Sequence, residues 1–151
     1  MMELVLTRSQ SAAARIEQLI RNSSRSVDAA LYRFNNPRLA EALMDAARRR
    51  VTLRLVLDRN KYEESRSTRE IFSGGTMPFR LSCGRQGPGS KMHHKFVILD
   101  GRAVLTGSYN WTLESEEQNY ENLLIVREAE QVAVYQKEFE ALWAEATPVG
   151  E

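Results

Sequence analysis

The sequence predicts an α/β domain built on a mixed, largely parallel β-sheet flanked by helices. Three stretches carry that expectation. Residues 26–58 read as strand, helix, strand; residues 91–111 read as a hairpin around an Asp-Gly turn; residues 128–144 read as a closing amphipathic helix. With 151 residues, one domain over 1–151 is expected.

The elements follow in order. Ser11 to Asn22 puts Ile16, Leu19 and Ile20 at helical spacing. Ser26 to Phe34 is a strand candidate around Val27, Ala29 and Leu31. Asn36-Pro37 marks a helix start, because Asn caps and Pro suits the first helical position. Leu39, Leu43 and Ala46 or Ala47 form that helix's apolar stripe, which ends in Arg48-Arg49-Arg50. Val51, Leu53, Leu55 and Leu57 then alternate along one strand face. Strand, helix, strand is the unit of a parallel sheet with a crossover helix. Arg59 to Ser73 is highly charged and reads as a loop leading into a short helix, broken by Gly74-Gly75. Phe79 to Ser82 reads as a short strand, and Gly84 to Ser90 as a mobile loop rich in Gly, Pro and Ser. Leu123 to Val126 is a strand. Val132, Tyr135, Phe139, Leu142 and Trp143 line one side of the last helix.

Composition narrows the function. Cys83 is the only cysteine, so an internal disulfide and a Cys-rich zinc site are excluded. His93 and His94 are the only histidines, and no ligand cluster suggests a metal centre; neither metal nor cofactor is expected. No run is long and apolar enough to span a bilayer. The start lacks a basic region followed by an apolar run, so no leader is expected and the location expected is cytoplasmic. Net charge is +1, yet the charge is uneven. From Ile71 to Leu99 there is no acid, while Arg80, Arg85, Lys91 and Lys95 are present. A local basic stretch attracts anions even in a nearly neutral chain.

Lys91 to Trp111 reads KMHHKFVILDGRAVLTGSYNW. Asp100-Gly101 is a two-residue hairpin signal, because both central positions need positive φ. Counting outward from that turn pairs Leu99 with Arg102, Ile98 with Ala103, Lys95 with Thr106 and His93 with Ser108. Cross-strand partners share a face, so His93, Lys95, Thr106 and Ser108, with Asn110 beyond them, form one polar patch. Phe96, Ile98, Ala103 and Leu105 take the other face. His94 points off the patch, and Asp100 falls in the turn with the wrong parity to touch a substrate. Taken singly, each residue is ordinary: a hydrogen-bonded histidine, a solvated lysine, a surface carboxylate. Their shared face is what points to chemistry. An imidazole, an ammonium, a hydroxyl and a carboxamide suit a phosphate, and donors aimed at developing charge are worth roughly 3–4 kcal/mol each. A histidine becomes nucleophilic when its other ring nitrogen stays protonated and oriented. Glu121, before the strand from Leu123, is the candidate partner for that nitrogen.

His93-x-Lys95, then Asp100, then Gly107-Ser108-x-Asn110 resembles the HKD signature of the phospholipase D superfamily, with Glu121 similar to its downstream acid. The order of elements resembles the small single-motif endonucleases and the mitochondrial cardiolipin hydrolase group. The resemblance implies a phospholipase D/nuclease-like fold and His93 as a nucleophile that forms a phosphohistidine. Lys95, Ser108 and Asn110 would hold phosphoryl oxygens, and Asp100 completes the motif. It also implies metal-independent hydrolysis and a second histidine as general acid. One motif per chain therefore implies a twofold homodimer with the active site at the seam. A nuclease acting on DNA or RNA is the leading expectation. Hydrolysis of phospholipid head groups is the alternative, and a non-catalytic nucleic-acid-binding module is a third.

Overall fold

The computed structural model describes residues 2–149. The elements in chain order are β1 (Met2–Leu6), α1 (Ala12–Arg21), β2 (Ser26–Leu31), α2 (Pro37–Arg48), β3 (Thr52–Asp58), α3 (Arg59–Glu64) and α4 (Arg66–Phe72). They continue with β4 (Phe79–Ser82), β5 (Lys95–Leu99), β6 (Ala103–Gly107), α5 (Leu113–Glu117), β7 (Asn122–Val126), α6 (Ala129–Glu145) and β8 (Thr147–Pro148). The strands form one sheet in the order β1-β7-β6-β5-β2-β3-β4-β8.

The sheet is mixed and flanked by helices, as expected, but parallel pairing is confined to β2-β3 and β3-β4. The pairs β1-β7, β7-β6, β6-β5, β5-β2 and β4-β8 are antiparallel. The strand-helix-strand reading of residues 26–58 covers only the parallel part. Past β4 the chain returns through a hairpin, which can only add antiparallel strands.

Local chemistry explains the helix boundaries. Ser11 Oγ accepts from Ala14 N–H at the start of α1, and Asn36 Oδ1 accepts from Arg38 N–H ahead of Pro37 in α2. Ile16 and Ile20 of α1 and Leu39 and Leu43 of α2 bury against Val27, Ala29, Leu53, Leu55, Val97 and Leu105 on one face of the sheet. Val132 and Phe139 of α6 cover Ala30, Val56, Phe96, Ile98 and Val104 on the other. Fully burying each such side chain contributes roughly 1.5–3 kcal/mol. Among the described residues no helix is long and apolar enough to cross a membrane.

Several expectations are corrected. Residues 59–72 form two short helices rather than a loop and one helix; Asp58 and Ser65 cap them through Lys61 N–H and Thr68 N–H. Residues 84–90 are knitted internally. Gly87 N–H donates to Gly84 O, Gln86 N–H to Ser90 Oγ, and Ser90 Oγ to Gly87 O. β1, α5 and β8 went unread.

The hairpin register is the correction with most consequence. The Asp-Gly turn is present: Asp100 and Gly101 have φ of 55° and 64°, and Arg102 N–H donates to Leu99 O at 2.9 Å. The ladder, however, resumes one residue later, with Leu99 opposite Ala103, Ile98 opposite Val104, Val97 opposite Leu105 and Phe96 opposite Thr106. Arg102 is an extra residue beside the turn, in the manner of a bulge, and one extra residue reverses the facing of a whole strand. Val104 and Thr106 therefore share a face with Phe96 and Ile98. Leu105 joins Val97 and Leu99 opposite, and Thr106 leaves the Lys95 face.

Candidate active site

The segment before β5 is fixed at its backbone. Met92 N–H donates to Asp58 Oδ1 at 2.9 Å, and Tyr32 N–H donates to His94 O at 2.9 Å. Between these anchors the His93 ring packs on the Tyr32 ring, with centroids 4.4 Å apart. Lys95 turns back along the chain. Its Nζ lies 3.1 Å from His93 Nδ1 and donates to His93 O at 2.9 Å. Burial holds the His93 imidazole below its ordinary value, and Lys95 and Lys91 push the same way against Asp58. Burial likewise lowers Lys95, opposed by the charge of Glu121.

Ser108 and Glu121 meet across β6 and β7. Ser108 Oγ donates to Glu121 Oε1 at 2.6 Å and accepts from Asn122 N–H at 3.0 Å. Glu121 Oε2 accepts from Ser115 Oγ at 3.1 Å and Asn119 Nδ2 at 3.0 Å. The sequence reading had Glu121 orient His93; within this chain it makes no hydrogen bond to it. β6 lies between β5 and β7, which separates them by two strand spacings, roughly 9–10 Å. Both carboxylate oxygens are also engaged. Asn110 Oδ1 is buried and makes no hydrogen bond.

Gly107 allows the approach of Ser108 to β7. Its φ is +149°, and a Cβ there would stand 2.3 Å from Asn122 O. Tyr109, 1% exposed, anchors the next turn from behind. Its hydroxyl donates to Glu116 Oε1 at 2.9 Å. The same carboxylate accepts from Ala13 N–H and Ser11 Oγ at the start of α1. Burial first, then Glu116, raises the Tyr109 phenol.

Two motif-neighbouring residues stand apart, as the sequence implied. Asp100 closes the far end of β5, about 17 Å along the strand from Lys95. Its carboxylate accepts from the N–H groups of Ser24, Arg25 and Ser26. His94 Nε2 lies 3.0 Å from Glu138 on α6.

Tyr32 and Asp58 are the residues that sequence reasoning missed. Asp58 is 1% exposed and serves both α3 and Met92. An aspartate ending a strand before Lys61 is a legible cap signal, but a loop expectation at 59–73 concealed it. Beside Tyr32 lies a cleft of about 280 Å³ lined by Arg33, Asp58, Lys61, Tyr62 and Thr112 among others. A groove of about 630 Å³ passes His93 between Arg85, Lys91 and α6. Among the described residues no group of three or more His, Cys, Asp or Glu stands ready to hold a metal.

Residues 16–143 match the family described as "Cardiolipin synthase, PLD-like domain". The chain is 36% identical over 143 residues to the mitochondrial cardiolipin hydrolase of Xenopus laevis, a match covering 95% of this chain and 66% of that protein. It spans about 55–66% of the length of curated relatives that it matches. In fold it is similar to Nuc, a phospholipase D family member from Salmonella typhimurium. That likeness has a TM-score of 0.89 at 21% identity, over 100% of this chain and 99% of that one. NucT from Helicobacter pylori is similar at a TM-score of 0.85 and 21% identity, over 98% and 99%.

Proposed function

Because the chain belongs to the PLD-like domain family of the cardiolipin synthase type, we propose that it is a metal-independent phosphodiesterase whose nucleophile is His93, and that its preferred substrate is a nucleic acid. The observation that carries this reading is the His93–Lys95 contact. An exposed imidazole, its basicity lowered by desolvation and then by Lys95 and Lys91, stands beside an ammonium placed to receive a phosphoryl oxygen.

In the first step a His93 ring nitrogen attacks phosphorus. The P–N bond forms, the P–O bond to one alcohol breaks, and that oxygen takes a proton from an acid. In the second, water attacks phosphorus, gives a proton to a base, and the P–N bond breaks. Lys95, Ser108 and Asn110 are the groups that would hold the phosphoryl oxygens as charge builds. Glu121 is a positioning residue that fixes Ser108, and Asp100 supports the fold of the motif.

The tautomer supports a shared site. Lys95 as an ammonium can only donate, so Nδ1 accepts and the ring proton sits on Nε2. Protonating a leaving oxygen needs the ring protonated at both nitrogens. A nucleophilic Nε2 needs the opposite tautomer. The two roles call for two histidines, and His94 is turned away to Glu138. A homodimer with the site at its twofold axis supplies the second His93.

Nuclease action is favoured by cations free of carboxylate partners beside the site. Among the described residues, Arg33, Arg85 and Lys91 make no ion pair with a carboxylate within 4.0 Å. Phospholipid hydrolysis is the second reading, favoured by similarity to proteins named cardiolipin hydrolase. The experiment is turnover in excess EDTA of a generic diester, single-stranded DNA, duplex DNA, RNA and cardiolipin side by side. Loss of every activity in EDTA would overturn the metal-free reading, and a cardiolipin preference would overturn the nucleic-acid assignment.

A further inference from the structure

Strand β2 ends at Leu31, opposite Lys95 of β5, and the next residue extends the pairing: Tyr32 N–H donates to His94 O at 2.9 Å. That bond fixes Tyr32 beside the residue that separates His93 from Lys95. Its side chain reaches both of them. The ring lies against the His93 imidazole, with centroids 4.4 Å apart and planes tilted by 51°. Lys95 Nζ stands 5.4 Å from the centroid of the same ring, within cation–π range.

Tyr32 is buried where its two neighbours reach solvent. It is 8% exposed, whereas His93 is exposed and Lys95 is half-buried. An imidazole on a solvent-facing segment and an ammonium on a four-carbon stem both have rotamer freedom to lose. A buried ring bonded at its backbone has little. The Tyr32 hydroxyl has no hydrogen-bond partner among the described residues, so the ring makes these contacts and the oxygen does not. Lys61 and Arg33 also come within 5.7 and 6.0 Å of the ring, but they share their cleft with Asp58, Glu64 and Glu114.

We infer that Tyr32 is a positioning residue of the proposed site: its ring seats the His93 imidazole and holds the Lys95 ammonium beside it, so that nucleophile and phosphate-binding cation rest on one support. The inference rests on the phosphodiesterase reading and adds to it a residue that acts through His93 and Lys95 rather than on substrate. Its two effects point one way. The ring keeps water from one side of the imidazole, and it keeps a positive charge near Nδ1; each disfavours the imidazolium. Lys91 and His94 act in the same direction and Asp58 against it, and altering Tyr32 replaces none of these.

The test compares Tyr32→Phe, which keeps the ring, with Tyr32→Leu, which removes it, and with Phe139→Leu, which removes a buried ring from α6. NMR titration reads His93, and hydrolysis of bis(p-nitrophenyl) phosphate reads kcat and KM. Tyr32→Phe should match wild type in both. Tyr32→Leu should raise the His93 value toward 6.5 and cut kcat by roughly 10–100-fold with a smaller change in KM, because misplacement is felt most in the transition state. Phe139→Leu should lower the melting temperature and move neither readout. If Tyr32→Leu does not fold, Tyr32→Met carries the same expectation. An unshifted His93 in the folded Leu or Met variant overturns the positioning role. So does a Tyr32→Phe protein as impaired as these, or an equal shift of His93 in Phe139→Leu. The titration needs no turnover, so a wild-type protein that cleaves no diester overturns the phosphodiesterase reading alone.

Discussion

The Lys95 ammonium approaches His93 twice, at Nδ1 over 3.1 Å and at the carbonyl oxygen over 2.9 Å. The imidazole is thereby held by its own chain two residues on, and its basicity is lowered by desolvation and then by the residue that would also bind substrate. The first prediction concerns that coupling. His93 should titrate below 6.5, so activity that needs the neutral ring should persist below that pH and fail only as pH drops through the lowered value. Lys95→Met should raise the His93 value, because a nearby positive charge is lost. Asp58→Asn should lower it further, because the opposing negative charge is lost. NMR titration of the two histidines reads both shifts without requiring turnover.

Replacing His93 itself tests the shared site. His93→Ala should reduce turnover by at least ~10²–10⁴-fold, and acid-quenched wild-type reactions should contain a phosphohistidine. When His93→Ala subunits are exchanged into wild-type protein, activity should fall below the proportion of wild-type chains. Mixed assemblies that retain full single-site activity would sink the two-histidine site.

Asp100 should matter to stability and not to chemistry. Burial raises its carboxyl, but backbone donors at Ser26, Arg25 and Ser24 and the charge of Arg102 outweigh that and hold it below 3.8. A depressed carboxyl contributes stability that is fully present above the ordinary value and lost as pH falls through the folded one. Asp100→Ala should therefore cost about 1–3 kcal/mol near neutral pH, less near pH 3, with kcat per folded molecule preserved. Denaturant midpoints across pH provide the check.

Gly107→Ala should be far more damaging than its size implies. The new methyl would meet the Asn122 carbonyl, a backbone atom that must move with β7, and the backbone conformation is strained for any side chain. A loss of about 2–4 kcal/mol is expected, with Ser108 displaced from Glu121. Thermal unfolding and amide exchange at Ser108 and Asn122 would show it.

Tyr109→Phe should leave stability within about 1.5 kcal/mol of wild type yet loosen the turn that carries Ser108 and Asn110. The expected signature is a larger effect on kcat than on KM, because the donors act most on developing charge. Equal loss in both would assign Tyr109 a purely structural part.

Much of this molecule is legible in its sequence where the signal is local. The cap at Asn36, the alternation of Val51 to Leu57 and the stripe of the last helix depend on neighbours in the chain, and the structure has them. The grouping of His93 with Lys95 came from spacing alone and is present. What went unread depends on partners distant in sequence. β1 has no helix or turn signal of its own and becomes a strand because β7 offers it an edge. Glu121 is bonded within this chain to Ser108, Ser115 and Asn119, a set of partners that cannot be counted along the chain. Tyr32 and Asp58 reach the site from two other strands.

The extra residue beside the Asp-Gly turn has a consequence for anyone who alters this protein. Arg102 adds one position to the connection between β5 and β6, and the placement of every side chain on β6 follows from it. Its side chain has no part in that, so replacing it by almost any residue should be mild. Deleting the position is another matter. It swaps Leu105, which packs in the core under α1 and α2, with Val104, which packs under α6, between the two covered faces of the sheet, and it carries Gly107 out of reach of Asn122. In mutational scans of this hairpin, length should be far less forgiving than identity.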